Sequence, residues 1–454
     1  MPRRRAVIGG IVAGAILSPP ASALATLLKV GRRPAETFTL SNGLQVIVLP
    51  SARAPIVNQL VAYKVGSADE TLGQTGVAHF LEHMMFKGTW SIGPTEFSRT
   101  ISRNGGRDNA YTSFDVTGYH QTIASDRLEL VMRMEADRMV NLRLSERELI
   151  PERQVVLEER RMRVDNVPAE LLDEAVREQL FGRGRPYGMP TAGYADDVKK
   201  LSVTDLANFY RKHYGPNNAV LIVAGDVKVD AVRKLAEKYY GPIAKVHLEP
   251  RRRPTEGGPG LPQRVIRADA RVVEPNWSRD FLAPSYAAGE SRHAHALQVL
   301  ARLFGDGETS RLWKALVVDS KLALSASAGY SASSLGLSNL GISVHPAAQA
   351  AMAAVESAVA DQMKKVLDGE VTAEEVERAQ NRLLAGAIYS QDSLASGPRL
   401  YASALSTGST MVDIDAWPER VAAVRPEHVV AAAQHVWRDD GAVTSLLTPA
   451  EGAK

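Results

Sequence analysis

His79, Glu82 and His83 set two imidazoles and a carboxylate at spacings that share one face of an α-helix. Two histidines one turn apart can both reach a single Zn2+, and the glutamate between them can take a proton from a water that the metal activates. The order His-x-x-Glu-His reverses the commoner zinc-hydrolase arrangement. A chance amphipathic helix is the bland alternative, but the chain has only ten histidines in 454 residues. Catalytic zinc normally takes three protein ligands, so one more donor is needed. Glu135, Asp137, Glu148, Glu152, Glu158 and Glu159 qualify by chemistry. Glu152 and Glu159 lie seven apart on one helical face, and spacing narrows the choice no further.

The elements that must carry these residues can be read around them. Thr37 to Leu49 alternates about Asn42-Gly43 and predicts a hairpin, and Ile56 to Val65 predicts a strand leading into the motif helix. Asn109 to His120 reads as one further strand. Helices are expected over Asp126 to Met139, Ser145 to about Met162 and Ser202 to Tyr214, followed by a buried strand over Ala219 to Ala224. A Pro- and Gly-rich stretch at 246–265 reads as a linker, with Arg251-Arg252-Arg253 as a solvated run within it. Val203 to Val223, with His213, is echoed by Arg425 to Ser445, with His435 at the matching place, which suggests two homologous halves. The limits expected are 36–245 for the motif-bearing domain and 266–450 for its copy.

Composition is ordinary for a globular chain, at 45% hydrophobic and 23% charged residues. Arg3, Arg4 and Arg5 precede an apolar run from Ala6 to Leu17 and small residues around Ala23 and Ala25. That is the layout of a secretory leader, 1–25, cleaved after Ala23 or Ala25. The apolar run is short for a membrane span and no later stretch reads as one. The three arginines account for the whole formal excess of +3, so the mature chain is neutral and gives no argument for nucleic acid. An exported chain without cysteine is compatible with the periplasm, held by packing and metal rather than disulfides.

Several segments then carry a resemblance. His79-Phe80-Leu81-Glu82-His83 with Phe86, Gly88 and Thr89, Asn109-Ala110 with Thr112, and Glu152-Arg153 through Glu158-Glu159 resemble the pitrilysin/insulinase family of zinc peptidases. Gly66-Ser67 with Glu70, Asp165-Asn166 before Pro168, Pro186-Tyr187 with Pro190 and Gly193, and Tyr214 with Pro216-Asn217-Asn218 resemble it too. The length is similar to the half-size, processing-peptidase-like branch. The resemblance implies an α+β fold of two homologous domains, each a mostly antiparallel sheet packed with helices. It implies one Zn2+ held by His79, His83 and Glu159, with Glu82 as general base and Glu152 as an orienting carboxylate. It also implies that Asn109 and Ala110 sit on an edge strand that pairs with a peptide backbone.

One part of the family pattern is missing. The Gly-rich loop of the second half is present as Gly305-Asp306-Gly307 through Ser310-Arg311, but the downstream Arg and Tyr positions read Val317 and Leu324. Neither side chain can donate a hydrogen bond to a developing oxyanion. The implied assembly is a heterodimer whose homologous partner supplies that pair. A homodimer is the variant of this reading, and recruitment of Arg311 or Tyr330 instead is its competitor. A non-catalytic scaffold is the rival class, against which the retained Glu82 argues.

Overall fold

In a computed structural model, which describes residues 20–31, 35–254 and 258–450, the chain builds two sheets of matching topology. The first sheet contains β1 (Glu36–Thr39), β2 (Gln45–Pro50), β3 (Ile56–Tyr63), β4 (Arg107–Thr112), β5 (Thr117–Ala124) and β6 (Ala219–Gly225), in the order β1-β2-β6-β3-β5-β4. The second contains β7 (Gln263–Asp269), β8 (Asn276–Ala283), β9 (Ala323–Tyr330), β10 (Ser338–Pro346) and β11 (Ala442–Pro449), in the order β7-β11-β8-β10-β9. Only β2 with β6 and β7 with β11 run parallel. Removing β1 makes the two orders superimpose strand for strand, with β4 and β9 as equivalent free edges. The echo between Val203–Val223 and Arg425–Ser445 is this duplication: helix Val203–His213 feeds β6 as helix Pro426–Val436 feeds β11.

Each half lends a helix to the other. Helix Pro168–Phe181 buries Leu172, Val176, Leu180 and Phe181 against Val443 and Leu447 of β11. Helix Ser396–Ser406 lays Tyr401, Ala402 and Leu405 over Ile47, Leu60 and Ile222 on the back of the first sheet. Full burial of one large apolar side chain is worth about 1.5–3 kcal/mol, so this reciprocal exchange welds the halves together. The opposite face of the first sheet meets the motif helix Val77–Met84 and helix Leu128–Val140 in the first core.

Three sequence expectations are corrected. Asn109 to His120 is not one strand, because Ser113 to Val116 turn the chain and Ser113 N donates to Val116 O, making a β4–β5 hairpin. Pairing in the second sheet begins at Gln263, inside the stretch read as linker. Arg251 and Arg253 are not solvated: with extended alternation they share one face, their side chains are 18% and 5% exposed, and only Arg252 points outward. Of the leader, Arg3 to Leu17 lies outside the described residues. The alanines expected at its cleavage site lie on helix Ala21–Gly31, where Ala21 and Ala25 are buried in the second core.

Candidate active site

The motif helix begins at Gly76, whose φ of +87° is a conformation few side chains tolerate. Gly193 lies against it so closely that a Cβ there would meet Gly76 Cα at 2.5 Å, which accounts for the glycine of the Pro190-x-x-Gly193 segment. Glu70 caps the helix, accepting from Gly76 N and Ala78 N at 2.8 Å each. Val77, Ala78, Phe80, Leu81 and Met84 are buried in the first core. That anchoring turns His79, Glu82 and His83 to the opposite, half-buried face.

Helix Glu146–Arg160 brings the third donor. Glu159 Oε2 stands 3.0 Å from His83 Nε2 and 3.9 Å from His79 Nε2, and the three donor atoms lie within 4.8 Å of one another. Ligands held at about 2.0–2.1 Å by a tetrahedral zinc are about 3.3 Å apart, so the spacing fits such an ion. His79 Nδ1 is buried without a hydrogen-bond partner among the described residues. The other acidic candidates lie elsewhere. Glu135 is buried in a pair with Arg138, Asp137 accepts from Thr89 and Ser91, and Glu148 and Glu158 pair with Arg143 and Arg161.

Around this trio the charges are fixed by neighbours. His83 Nδ1 is 2.9 Å from Glu152 Oε1, which orients the ring and leaves Nε2 facing Glu159. Burial alone would lower the pKa of His83, but Glu152 and Glu159 raise it to about 9. Burial and the neighbouring His83 lower His79 to about 4, so that ring is neutral. Glu159 falls to about 2, chiefly through its hydrogen bond with His83. Glu82 is pushed above the ordinary carboxylate range by burial, although Thr112 Oγ1 donates to its Oε2 at 2.5 Å.

Thr112 belongs to β4, the free edge of the first sheet. Asn109 and Ala110 precede it on the same strand, opposite His120 and Tyr119 of β5, and no strand pairs with the outer side of β4 among the described residues. The motif helix and a free strand edge are therefore joined by a hydrogen bond between Thr112 and Glu82.

Sequence reasoning missed four residues here: Glu70 as the helix cap, Thr112 as the partner of Glu82, Lys87 and Arg163. Lys87 Nζ pairs with Glu152 Oε2, and Arg163 Nη1 lies 2.7 Å from Glu159 Oε1. Arg163 stands four residues after Glu159, a helical spacing that could have flagged it, whereas Lys87 lies past the motif helix and pairs across to another helix. In the second half, Val317 lies in Trp313–Asp319 and Leu324 is half exposed on β9. Arg311 is gripped by Glu375 at 2.8 and 2.7 Å, and Tyr330 OH donates to Pro284 O at 2.5 Å. Both residues of the competing reading are thus engaged in contacts within the second half.

Two duplicated α+β halves, one of them with a His-His-Glu cluster beside a free strand edge, define a metallopeptidase-like protein. Family models agree with this: residues 46–193 match the insulinase family, peptidase family M16, and residues 200–383 match the peptidase M16 inactive domain. The chain belongs to the M16 (insulinase) peptidase family. It is 35% identical over 297 residues to zinc protease PqqE of Helicobacter pylori, a match spanning 64% of this chain and 65% of that relative, just under two thirds of its length. A crystal structure of a protease from Helicobacter pylori superposes with a TM-score of 0.83 at 27% identity, covering 92% of this chain and all of the other. The periplasmic protease PqqL from Escherichia coli shares the fold, with a TM-score of 0.78 at 21% identity, over 92% of this chain but only 48% of PqqL.

Proposed function

We propose that this chain is the zinc-bearing subunit of an endopeptidase that hydrolyses peptides or small unfolded proteins. The observation supporting this most directly is that His79, His83 and Glu159 converge while Glu82 stands beside them, tied by Thr112 to a free strand edge. The donor set fits Zn2+, which His79, His83 and Glu159 would hold. When bound, zinc polarises a carbonyl and acidifies a water. Glu82 takes the proton of the attacking water and returns it to the leaving amine, and its burial keeps its proton affinity suited to both tasks. Glu152 keeps the His83 ring oriented, and Lys87 balances the charge of Glu152. The backbone of β4 at Asn109 and Ala110 pairs with the peptide, fixing its carbonyl near Glu82 whatever its side chains.

The donors that would steady the oxyanion come from a homologous partner. Val317 and Leu324 cannot supply them, and Arg311 and Tyr330 are already engaged. The match to about half of PqqL supports the same view, since a longer relative of this fold contains room for two such units. Export to the periplasm is proposed on the leader-like first residues; no helix among the described residues is long and apolar enough to cross a membrane. The missing Arg and Tyr also favour a second reading, a non-catalytic binding subunit that retains the metal.

Hydrolysis of a quenched-peptide library by the zinc-loaded chain, alone and with candidate partner subunits, separates the two readings. Glu82→Gln should keep zinc and lose at least about a hundredfold in turnover, the usual worth of a general base. Turnover unchanged in Glu82→Gln would remove Glu82 as the base, and no turnover with any partner while peptide binding persists would leave only the binding subunit.

A further inference from the structure

Two linker arginines meet two aspartates at the seam between the halves. Arg251 grips both carboxylate oxygens of Asp69, from Nε at 3.0 Å and Nη2 at 2.7 Å. Arg253 Nη2 bridges Asp69 Oδ1 and Asp115 Oδ1 at 2.9 and 3.1 Å. The most exposed of these four side chains is only 18% accessible. Tyr187 OH donates to Asp115 Oδ2 at 2.9 Å and accepts from Gly336 N at 2.8 Å. The second half completes the cluster: Leu335 N donates to Asp115 Oδ2 at 3.2 Å, and Ser406 O accepts from Arg251 Nη1 at 3.0 Å. Its packing is tight, since a Cβ on Gly336 would meet the Tyr187 ring at 2.6 Å.

Buried ions are tolerated only when paired and well hydrogen-bonded, so a cluster of this kind accepts one geometry and resists others. Burial pushes the Asp69 carboxyl up, yet Arg251 and then Arg253 hold it below the ordinary range. What the cluster holds is the immediate surroundings of Glu82. Asp115 lies in the β4–β5 turn, three residues beyond Thr112. Asp69 lies in the loop before the motif helix, next to its cap Glu70. The two segments are stitched together, with Ser67 N and Ala68 N donating to Ser113 O and Phe114 O at 3.0 and 2.9 Å. Gly66 leaves no room for error there, because a Cβ would fall 2.1 Å from Ser113 O.

We propose that the Arg251–Asp69 and Arg253–Asp115 pairs form an interdomain latch through which the second half sets the position of Thr112 and β4 relative to Glu82. Arg253 and Asp115 are then positioning residues for peptide hydrolysis, although neither reaches the substrate. The inference rests on the reading of Glu82 as base and β4 as substrate edge, so its test needs one readout that does not depend on turnover.

The full zinc-loaded chain, with its partner where turnover requires one, is compared with Asp115→Asn, Arg253→Met and Arg253→Lys. Arg253→Lys keeps the charge but not a fork able to bridge two carboxylates. Amide hydrogen exchange should accelerate over residues 107–118 in Asp115→Asn and Arg253→Met, with zinc content unchanged. Unchanged exchange there in a folded variant overturns the latch, whether or not the chain proves to be a peptidase. In turnover, Asp115→Asn should lower kcat about tenfold with little change in KM, and Thr112→Val should add almost nothing on top of it. Arg253→Lys should recover only part of the loss of Arg253→Met. Additive effects of Thr112→Val and Asp115→Asn, or a fall in melting temperature alone, would reduce the cluster to structural cement. Should Arg253→Met fail to fold, Asp115→Asn, which preserves shape, decides. A wild-type chain without turnover under every condition would count against the role of Glu82, while exchange would still decide the latch.

Discussion

At the scale of single residues, the proposed zinc site would couple metal binding to protons through His83. In the metal-free chain its pKa is raised from 6.5 to about 9, so its protonation stabilises the fold fully below about pH 6.5, and that contribution disappears as pH climbs through 9. Zinc reverses the sign, because it requires the neutral ring. Zinc affinity is therefore expected to rise with pH up to about 9, with about one proton released per ion near neutral pH; calorimetric titration in two buffers of different ionisation enthalpy measures this. Affinity that does not vary between pH 6 and 9 would show that zinc displaces no proton from His83. Glu152 fixes the ring through Nδ1, so Glu152→Gln should weaken zinc about 10- to 100-fold while leaving the fold intact, as read by competition with a chelating dye.

At the scale of elements, the motif helix depends on a cap six residues upstream. Glu70→Ala removes the acceptor for Gly76 N and Ala78 N and should cost about 1–2 kcal/mol in urea unfolding of the metal-free chain, with weaker zinc binding because both histidines ride on that helix. An unchanged unfolding midpoint would mean that packing alone positions the helix. The helix itself was legible because local spacing writes a metal-binding face directly into sequence. The free edge at β4 was only half legible: the Thr, Tyr, Phe and Val content of Asn109 to His120 carries strand propensity, but the turn at Ser113 to Val116 depends on contacts with Gly66 to Ala68 that no local pattern records. Arg163 was visible as an i, i+4 partner of Glu159, whereas Lys87 meets Glu152 across to another helix, which no local pattern records. The charged linker was misread for a physical reason: a run of arginines is normally solvated, and the carboxylates that bury Arg251 and Arg253 lie more than 130 residues away.

At the scale of the whole molecule, duplication was faint in sequence because the second copy keeps topology while replacing chemistry. Helix Ala294–Gly305 follows β8 as the motif helix follows β3, yet it is buried through Ala, Leu, Val and Phe and lacks the His-x-x-Glu-His pattern. The exchange of helices between the halves lay beyond sequence altogether, since it needs both sheets in place. It predicts that one chain unfolds as a single unit: calorimetric and van't Hoff enthalpies should agree, and two separated transitions would mean that the halves are independent. The N-terminus is open to a similar check. Intact mass after expression with export should correspond to cleavage after Ala23 or Ala25, whereas a mature chain starting at Met1 would remove the case for the periplasm. The central claim concerns the His-His-Glu cluster and the strand beside it. Crystals of zinc-loaded Glu82→Gln soaked with a peptide, measured at the zinc absorption edge, test it most directly. The account predicts one anomalous peak about 2.0–2.2 Å from His79, His83 and Glu159, with peptide density added along β4; a peak elsewhere, or peptide bound away from that edge, would contradict it.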